Sequence, residues 1–272
     1  MPELPEVEIT CRGITPHVVG RTVEAVAVRQ PRLRWPVPPT LAHELPGQTI
    51  ESVARRGKYL LLGTAIGNVI LHLGMSGSLR VVGRAFPPGK YDHVDLVLSG
   101  GDCLRLRDPR RFGAVLWTKR DVTEHRLLAG LGPDPLDPTF NDEYLYRQSR
   151  GRRRAIRDFL IDGHVVAGLG NIYANEALFE AGIDPRRAAG RIRRSRYRRL
   201  VRAVRTTIKR ALEAGGTTLR DFRGTSGEPG YFQLQTRVYR HDGEPCYRCG
   251  RSRVRAAALG GRRVFFCPRC QL

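Results

Sequence analysis

Two groups of residues in this chain are spaced for chemistry. Toward one end, Cys246-Tyr-Arg-Cys249 is followed, after 17 residues, by Cys267-Pro-Arg-Cys270. Each CxxC turn can aim two sulfurs at one ion, and the doubled motif is the spacing of a tetrahedral four-thiolate zinc site. A pair of disulfides is the competing reading, disfavoured where no secretory signal is visible. Four thiolates leave no open coordination position, so such a zinc is structural and not catalytic. The other group is the start, MPELPEVE. Proline after the initiator methionine favours loss of Met1, which frees a secondary amine on Pro2. An α-amino group has a pKa near 8, against about 10.4 for lysine, so roughly a tenth is neutral near pH 7. A neutral amine is a nucleophile. Glu3 and Glu6, three apart, share one side of a first helical turn. By residue type alone, their plainest role is to complement the helix dipole.

These groups need elements to hold them. Val7, Cys11, Ile14 and Val18 fall at helical spacing, predicting a helix over 5–19 that Gly20 closes. Short β-type runs follow at 23–28, 49–54, 59–63, 68–73, 78–82, 94–99, 103–107 and 114–118, most of them punctuated by glycine or proline. About eight strands without intervening helices predict a β-sandwich or flattened barrel. The stretch LGPDPLDPTFNDEY, with three prolines and several acids, reads as an interdomain linker with a short helix near its end. Beyond it the pattern is helical. One helix contains 175–180 and stops at Gly182. A longer one, capped by Ser195, carries Tyr197, Leu200, Val201, Val204, Ile208 and Leu212 on one face and Arg196, Arg199, Arg202, Arg205, Lys209 and Arg210 on the other. Between the cysteine pairs, 253–258 and 262–266 around Gly260 and Gly261 read as a β-hairpin, with Arg251, Arg253, Arg255, Arg262 and Arg263 available to a nucleic acid. Cys11 and Cys103 read as core residues.

Bulk composition narrows the function. The chain has 272 residues, 41% of them hydrophobic, enough for two folded domains. No run of about 18 apolar residues is present, so no spanning helix is expected, and the compartment expected is the cytosol, or the nucleoid if the source is bacterial. Lys plus Arg number 47 against 26 acids, and the excess is uneven: +4 over 1–150 and +17 over 151–272. A half this basic points to a polyanion. An anionic membrane is the alternative; the hairpin and zinc motifs favour nucleic acid.

MPELPEVE, GKYLLL at 57–62, HLGMSGSLR at 72–80, DPRRFG at 108–113, GLGNIYANEALF at 168–179, GGTTLRDF at 215–222 and the terminal four-cysteine finger occur in this order. In these motifs, and along its whole length, the chain resembles the bacterial formamidopyrimidine-DNA glycosylase family. Endonuclease VIII relatives share the architecture but typically begin PEGPE where this chain has PELPE. The resemblance implies an α+β protein of two domains. A β-sandwich carrying the first helix spans 1–133 and a linker 134–150. A helix–two-turn–helix domain spans 151–240 and a zinc-finger hairpin 241–272, with DNA in the cleft between the domains. It implies a monomeric bifunctional DNA glycosylase/AP lyase for oxidised purines in duplex DNA, with one structural zinc.

The resemblance also implies roles. Pro2 attacks the sugar C1′, and Glu3 handles protons at the deoxyribose ring oxygen. Lys58 and Arg262 complete the catalytic set as phosphate contacts. His72, Arg153 and Asn171 are further DNA contacts. Met75, Arg110 and Phe112 are the trio inserted into the duplex once the base is everted. Arg110 faces the orphaned cytosine. Glu6, His164, Thr225, Ser226 and Tyr231 belong to the lesion pocket, with His164 standing where some relatives have lysine. GLGN is not a dinucleotide fingerprint, since Tyr173 holds the place of the third glycine, and no Walker motif occurs, so no nucleotide cofactor is expected. Two readings compete: an endonuclease VIII-type enzyme for oxidised pyrimidines, and a non-catalytic zinc protein that senses DNA damage. The second explains charge and zinc but not Pro2, Glu3 and Lys58 together.

Overall fold

The computed structural model describes residues 2–215 and 236–272, in two compact units, one of 2–129 with 214–215 and the other of 130–213 with 236–272. In the first unit, helix α1 (Leu4–Val18) precedes β1 (Val23–Val28), a short α2 (Pro39–Glu44), β2 (Ser52–Arg56), β3 (Tyr59–Thr64), β4 (Gly67–His72), β5 (Ser78–Gly83), β6 (Asp92–Leu98), β7 (Asp102–Arg107) and β8 (Ala114–Thr118). The strands form two antiparallel four-stranded sheets, β1-β6-β7-β5 and β2-β3-β4-β8. Their apolar faces join one core with the α1 stripe of Val7, Cys11, Ile14 and Val18, in which Leu60, Leu62, Leu71, Leu96, Leu104 and Val115 are buried. The eight predicted strands are present with edges shifted by three residues or fewer. The short α2 is unannounced by periodicity; Pro39 sits in its first turn, where its missing N–H costs nothing.

The second unit holds α3 (Asp142–Ser149), α4 (Ile156–Leu160), α5 (Asn171–Ala181), α6 (Arg194–Glu213), β9 (Arg255–Leu259) and β10 (Arg262–Phe266). Asn141 caps α3, its Oδ1 accepting the Tyr144 N–H at 2.9 Å, and Leu145 is buried as α3 packs on α6. Thus the proline-rich stretch runs at its end into a short folded helix of this unit. Helix α5 is buried nearly all round and ends where Gly182 takes a left-handed φ of 68°. Helix α6 buries Tyr197, Leu200, Val201, Val204 and Ile208, as their spacing predicts, while Leu212, expected on the same face, is only half-buried near the helix end. Ser195 does not cap it. The Arg193 carbonyl already accepts the Tyr197 N–H at 3.2 Å, so Ser195 lies exposed inside the first turn. Strands β9 and β10 pair in the register Arg262↔Leu259, and Gly260 and Gly261 have φ of 52° and 72°. Two positive φ values in a two-residue loop are what a type I′ hairpin requires.

Candidate active site and zinc centre

The start of α1 is locked. Pro2 is buried and so are Glu3 and Glu6. The Glu3 N–H donates to Glu6 Oε2 at 2.7 Å, and Glu3 reciprocates toward the Glu6 N–H, a capping box that fixes the chain entering the helix. One turn on, Glu8 accepts from Arg12 Nε at 2.8 Å and Arg55 Nε at 2.7 Å. Burial would raise the Glu8 carboxyl, but these two guanidinium bonds outweigh it and hold its pKa below the usual carboxylate range. Arg55 also donates to the Gly57 carbonyl at 3.2 Å. Glu8 therefore ties the first turns of α1 to the turn that carries Lys58.

That turn is itself specified. Arg56 pairs with Tyr59, leaving Gly57 and Lys58 as a two-residue hairpin loop with Gly57 at φ 59°. The next pairings are Tyr59↔His72 and His72↔Ala114. Register thus gathers Lys58, His72 and the loops that follow β4 and precede β8 at one end of the β2-β3-β4-β8 sheet. His72 Nδ1 accepts the Gly74 N–H at 3.0 Å, and its ring lies 4.9 Å from that of Tyr59. Burial pulls the His72 pKa down to about 4, with the nearby charges of Arg34 and Lys58 adding to the effect. The imidazole is therefore neutral at pH 7, with its proton on Nε2, a donor suited to a phosphate oxygen.

A pH effect on stability follows. The unfolded histidine takes up a proton below pH 6.5 and the folded one only near 4. Stability is intact above 6.5 and is lost as pH falls through that window, by roughly 3 kcal/mol at the lower end. Denaturant titrations at pH 7 and pH 4.5 are expected to show a smaller loss for His72→Gln than for the unmodified protein.

The two loops form a ledge. Met75 is 38% exposed at the tip of one loop, and Phe112 is 44% exposed in the other. The Arg110 guanidinium lies over the Phe112 ring, 5.0 Å from its centroid. Gly74, at φ 61°, lets the loops touch; a Cβ there would fall 2.4 Å from the Phe112 carbonyl carbon. Alanine at Gly74 would meet both a backbone clash and an unfavourable φ, and is expected to cost more than about 1 kcal/mol. Its thermal melting point relative to the unmodified protein is the check.

In the second unit, Asn171 opens α5 and its Nδ2 donates to the Arg263 carbonyl at 3.0 Å. Asn175, one turn on, donates to the Asn171 carbonyl at 2.6 Å and accepts the Phe265 N–H at 2.8 Å. Hairpin and helix start are thereby joined, and exposed Arg262 follows the hairpin turn beside them. Arg153 is elsewhere, lining a cavity of about 520 Å³ with Arg152 and Arg191. His164 Nδ1 is engaged by the Gly130 carbonyl at 2.7 Å. Thr225, Ser226 and Tyr231 lie outside the described residues. Two residues escaped sequence reasoning. Arg34 acts on His72 and donates its N–H to the Gly113 carbonyl at 3.0 Å. Buried Glu176 accepts the N–H groups of Arg237, Val238 and Tyr239 at 2.7, 3.0 and 2.8 Å. Only the apolar helix around Glu176 hinted at burial.

The four predicted cysteine sulfurs lie within 4.8 Å of one another. Cys246–Cys270 and Cys249–Cys267 are each 3.9 Å apart, far beyond a disulfide and close to the ~3.8 Å edge of a tetrahedron with Zn–S near 2.3 Å. N–H groups of Arg251 and Ser252 pull the Cys249 thiol down to about 6, while burial and the other three sulfurs push Cys270 up to about 12. Four thiolates packed this closely need a cation. Among the described residues, no helix is long and apolar enough to cross a membrane.

The sequence profile of the formamidopyrimidine-DNA glycosylase N-terminal domain matches residues 1–115, that of its H2TH domain 131–223, and that of the zinc finger found in FPG and IleRS 243–272. A formamidopyrimidine-DNA glycosylase of Methylococcus capsulatus is 54% identical over 271 residues, spanning both chains completely; one of Stutzerimonas stutzeri is 55% identical over the same length. The chain belongs to the formamidopyrimidine-DNA glycosylase family. The crystal structure of MutM (Fpg) from Thermus thermophilus matches 99% of this chain and 98% of its own with a TM-score of 0.89 at 38% identity. That of a Lactococcus lactis FPG mutant in complex with a Fapy-dG containing DNA matches 99% of both chains with a TM-score of 0.92 at 31% identity. This chain is thus a DNA-repair glycosylase, with the two-part α+β architecture its motifs imply and a structural zinc held by Cys246, Cys249, Cys267 and Cys270.

Proposed function

We propose that this glycosylase excises oxidised purines, 8-oxoguanine and formamidopyrimidines, from duplex DNA and then cleaves the abasic strand. With Met1 removed, the Pro2 amine attacks C1′ of the damaged nucleoside, and the C1′–N bond breaks as the base leaves with a proton. Glu3 delivers a proton to the ring oxygen as the sugar opens, forming an iminium cation at Pro2. The cation draws electrons from the neighbouring C2′–H bond; loss of that proton expels the 3′ phosphate, and a second elimination expels the 5′ phosphate. Water adding to the iminium carbon releases the sugar fragment as an aldehyde and restores the Pro2 amine.

Other side chains serve binding. Neutral His72 donates to a phosphate, as do Lys58, Arg153, Asn171 and Arg262. Met75 fills the space left by the everted base, Arg110 offers its donors to the orphaned cytosine, and Phe112 wedges beside the opposite strand and kinks the helix. Glu6, His164, Thr225, Ser226 and Tyr231 surround the base. The enzyme works as a monomer in the bacterial cytoplasm, on duplexes bearing oxidised bases or abasic sites. The observation that carries this reading is the buried Pro2–Glu3 start, locked by the Glu3–Glu6 capping box and tied through Glu8 and Arg55 to the Lys58 turn.

Borohydride reduction during turnover of an 8-oxoguanine:cytosine duplex tests it. A covalent adduct mapping to Pro2 is expected; its absence from protein verified by mass to lack Met1 would overturn the mechanism. Faster excision of thymine glycol than of 8-oxoguanine would instead favour the pyrimidine enzyme.

A further inference from the structure

We infer that Asp108 is the positioning residue that makes the Met75 loop and the 108–113 turn move as one wedge. Asp108 is fully buried, yet its carboxylate is spent on two loops. Oδ1 accepts the Ser76 hydroxyl at 3.2 Å and the Arg110 N–H at 3.3 Å; Oδ2 accepts the Gly113 N–H at 2.7 Å. Its own carbonyl is held by His93 Nε2 at 2.8 Å, and its N–H donates to the Tyr91 carbonyl at 2.9 Å. One side chain thus reaches the residue after Met75, the backbone of Arg110 and the residue after Phe112. The turn it closes contains Arg111 at φ 56°, a left-handed conformation that a non-glycine residue keeps only when its surroundings impose it. Gly113 permits the approach, since a Cβ there would fall 2.9 Å from Asp108 Oδ2 and 2.7 Å from the His72 carbonyl oxygen.

Intercalation by three side chains from two loops works only if the loops keep their spacing as bases push back. Asparagine at 108 offers one acceptor oxygen in place of two and turns an NH₂ toward a backbone N–H or the Ser76 hydroxyl. The surface side chains stay, but their spacing loosens. Arg110, which must meet one particular base, is the most sensitive of the three.

The inference rests on Met75, Arg110 and Phe112 entering the duplex, and the test separates the two claims. Unmodified protein, Asp108→Asn, Arg110→Ala and Ser76→Ala are compared for kcat/KM on 8-oxoguanine opposite cytosine and opposite adenine. Cleavage of single-stranded abasic DNA, which needs no inserted side chain, is the control. Asp108→Asn is expected to lower the cytosine-to-adenine ratio about tenfold, as Arg110→Ala does, while cleaving the single strand at the unmodified rate. Ser76→Ala, which deletes only the tie to the Met75 loop, is expected to lose part of the ratio, and to add nothing in an Asp108→Asn background. If Arg110→Ala changes the ratio but neither Asp108→Asn nor Ser76→Ala does, the positioning role is wrong. If Arg110→Ala leaves the ratio unchanged, the inserted trio is wrong. If Asp108→Asn loses single-strand cleavage or fails to fold, and Ser76→Ala keeps the full ratio, Asp108 serves the fold alone and the inference is overturned.

Discussion

Replacing Glu3 with glutamine is expected to slow base excision by about 10²–10⁴-fold, the range for loss of a positioned proton donor or acceptor, while lesion-duplex binding and the helix start persist. Glutamine is chosen for a structural reason. Its amide oxygen can still accept the Glu6 N–H, so the capping box that orders the terminus survives. Alanine would remove cap and proton carrier together. Single-turnover excision measured beside circular dichroism separates the outcomes. A rate within a few-fold of the unmodified enzyme, with the fold intact, would assign Glu3 to capping alone. The same measurement on Glu8→Gln is expected to show a smaller defect. That change weakens the Arg55 tie, which only positions α1.

Removing zinc is expected to abolish duplex binding while leaving the β-sandwich folded. The unit that the cysteines hold has little else. Its apolar cluster is Phe179, Val238, Val254 and Phe265 with the sulfurs themselves, and β9 and β10 form an isolated two-stranded ribbon. Such a ribbon is marginal alone, whereas structural zinc contributes on the order of 10–16 kcal/mol to a site of this kind. Without the ion the hairpin loses Arg262 and the Arg263 carbonyl that Asn171 grips. Chelator titration followed by DNA-binding anisotropy and far-ultraviolet dichroism is the check. Loss of binding with the strand signal retained is expected; full binding by zinc-free protein would remove the hairpin from the interface.

Much of this was legible in the sequence because it is written locally. The Val7–Cys11–Ile14–Val18 stripe, the paired glycines at 260 and 261, Gly182 and the two CxxC turns each encode a conformation within a few residues. The site's assembly is not local. Lys58 meets His72 because Tyr59 pairs with His72, and the Met75 loop meets the Phe112 turn because His72 pairs with Ala114. Strand register is set by the whole core, so no short window of residues reveals it. Asp108 shows the limit clearly. Its Asp-Pro context announces a turn, but which groups its carboxylate binds depends on a loop contributed by another strand. Ser195 failed for the opposite reason: a good capping residue stands just inside a helix that already begins at Arg194, where the Arg193 carbonyl accepts the Tyr197 N–H.

A DNA-repair enzyme works in the presence of the oxidants that damage DNA. The two cysteines outside the zinc site are buried, and burial raises both thiols, with Glu8 adding at Cys11 and Asp95 at Cys103. Little thiolate is present at either, so neither offers peroxide an easy target. Zinc occupies the other four sulfurs. Among the described residues, the sulfur left open to attack is the thioether of Met75, on the ledge itself. Its sulfoxide would set a polar, chiral group on that exposed loop tip, a lesion in the repair enzyme that methionine sulfoxide reductases can reverse.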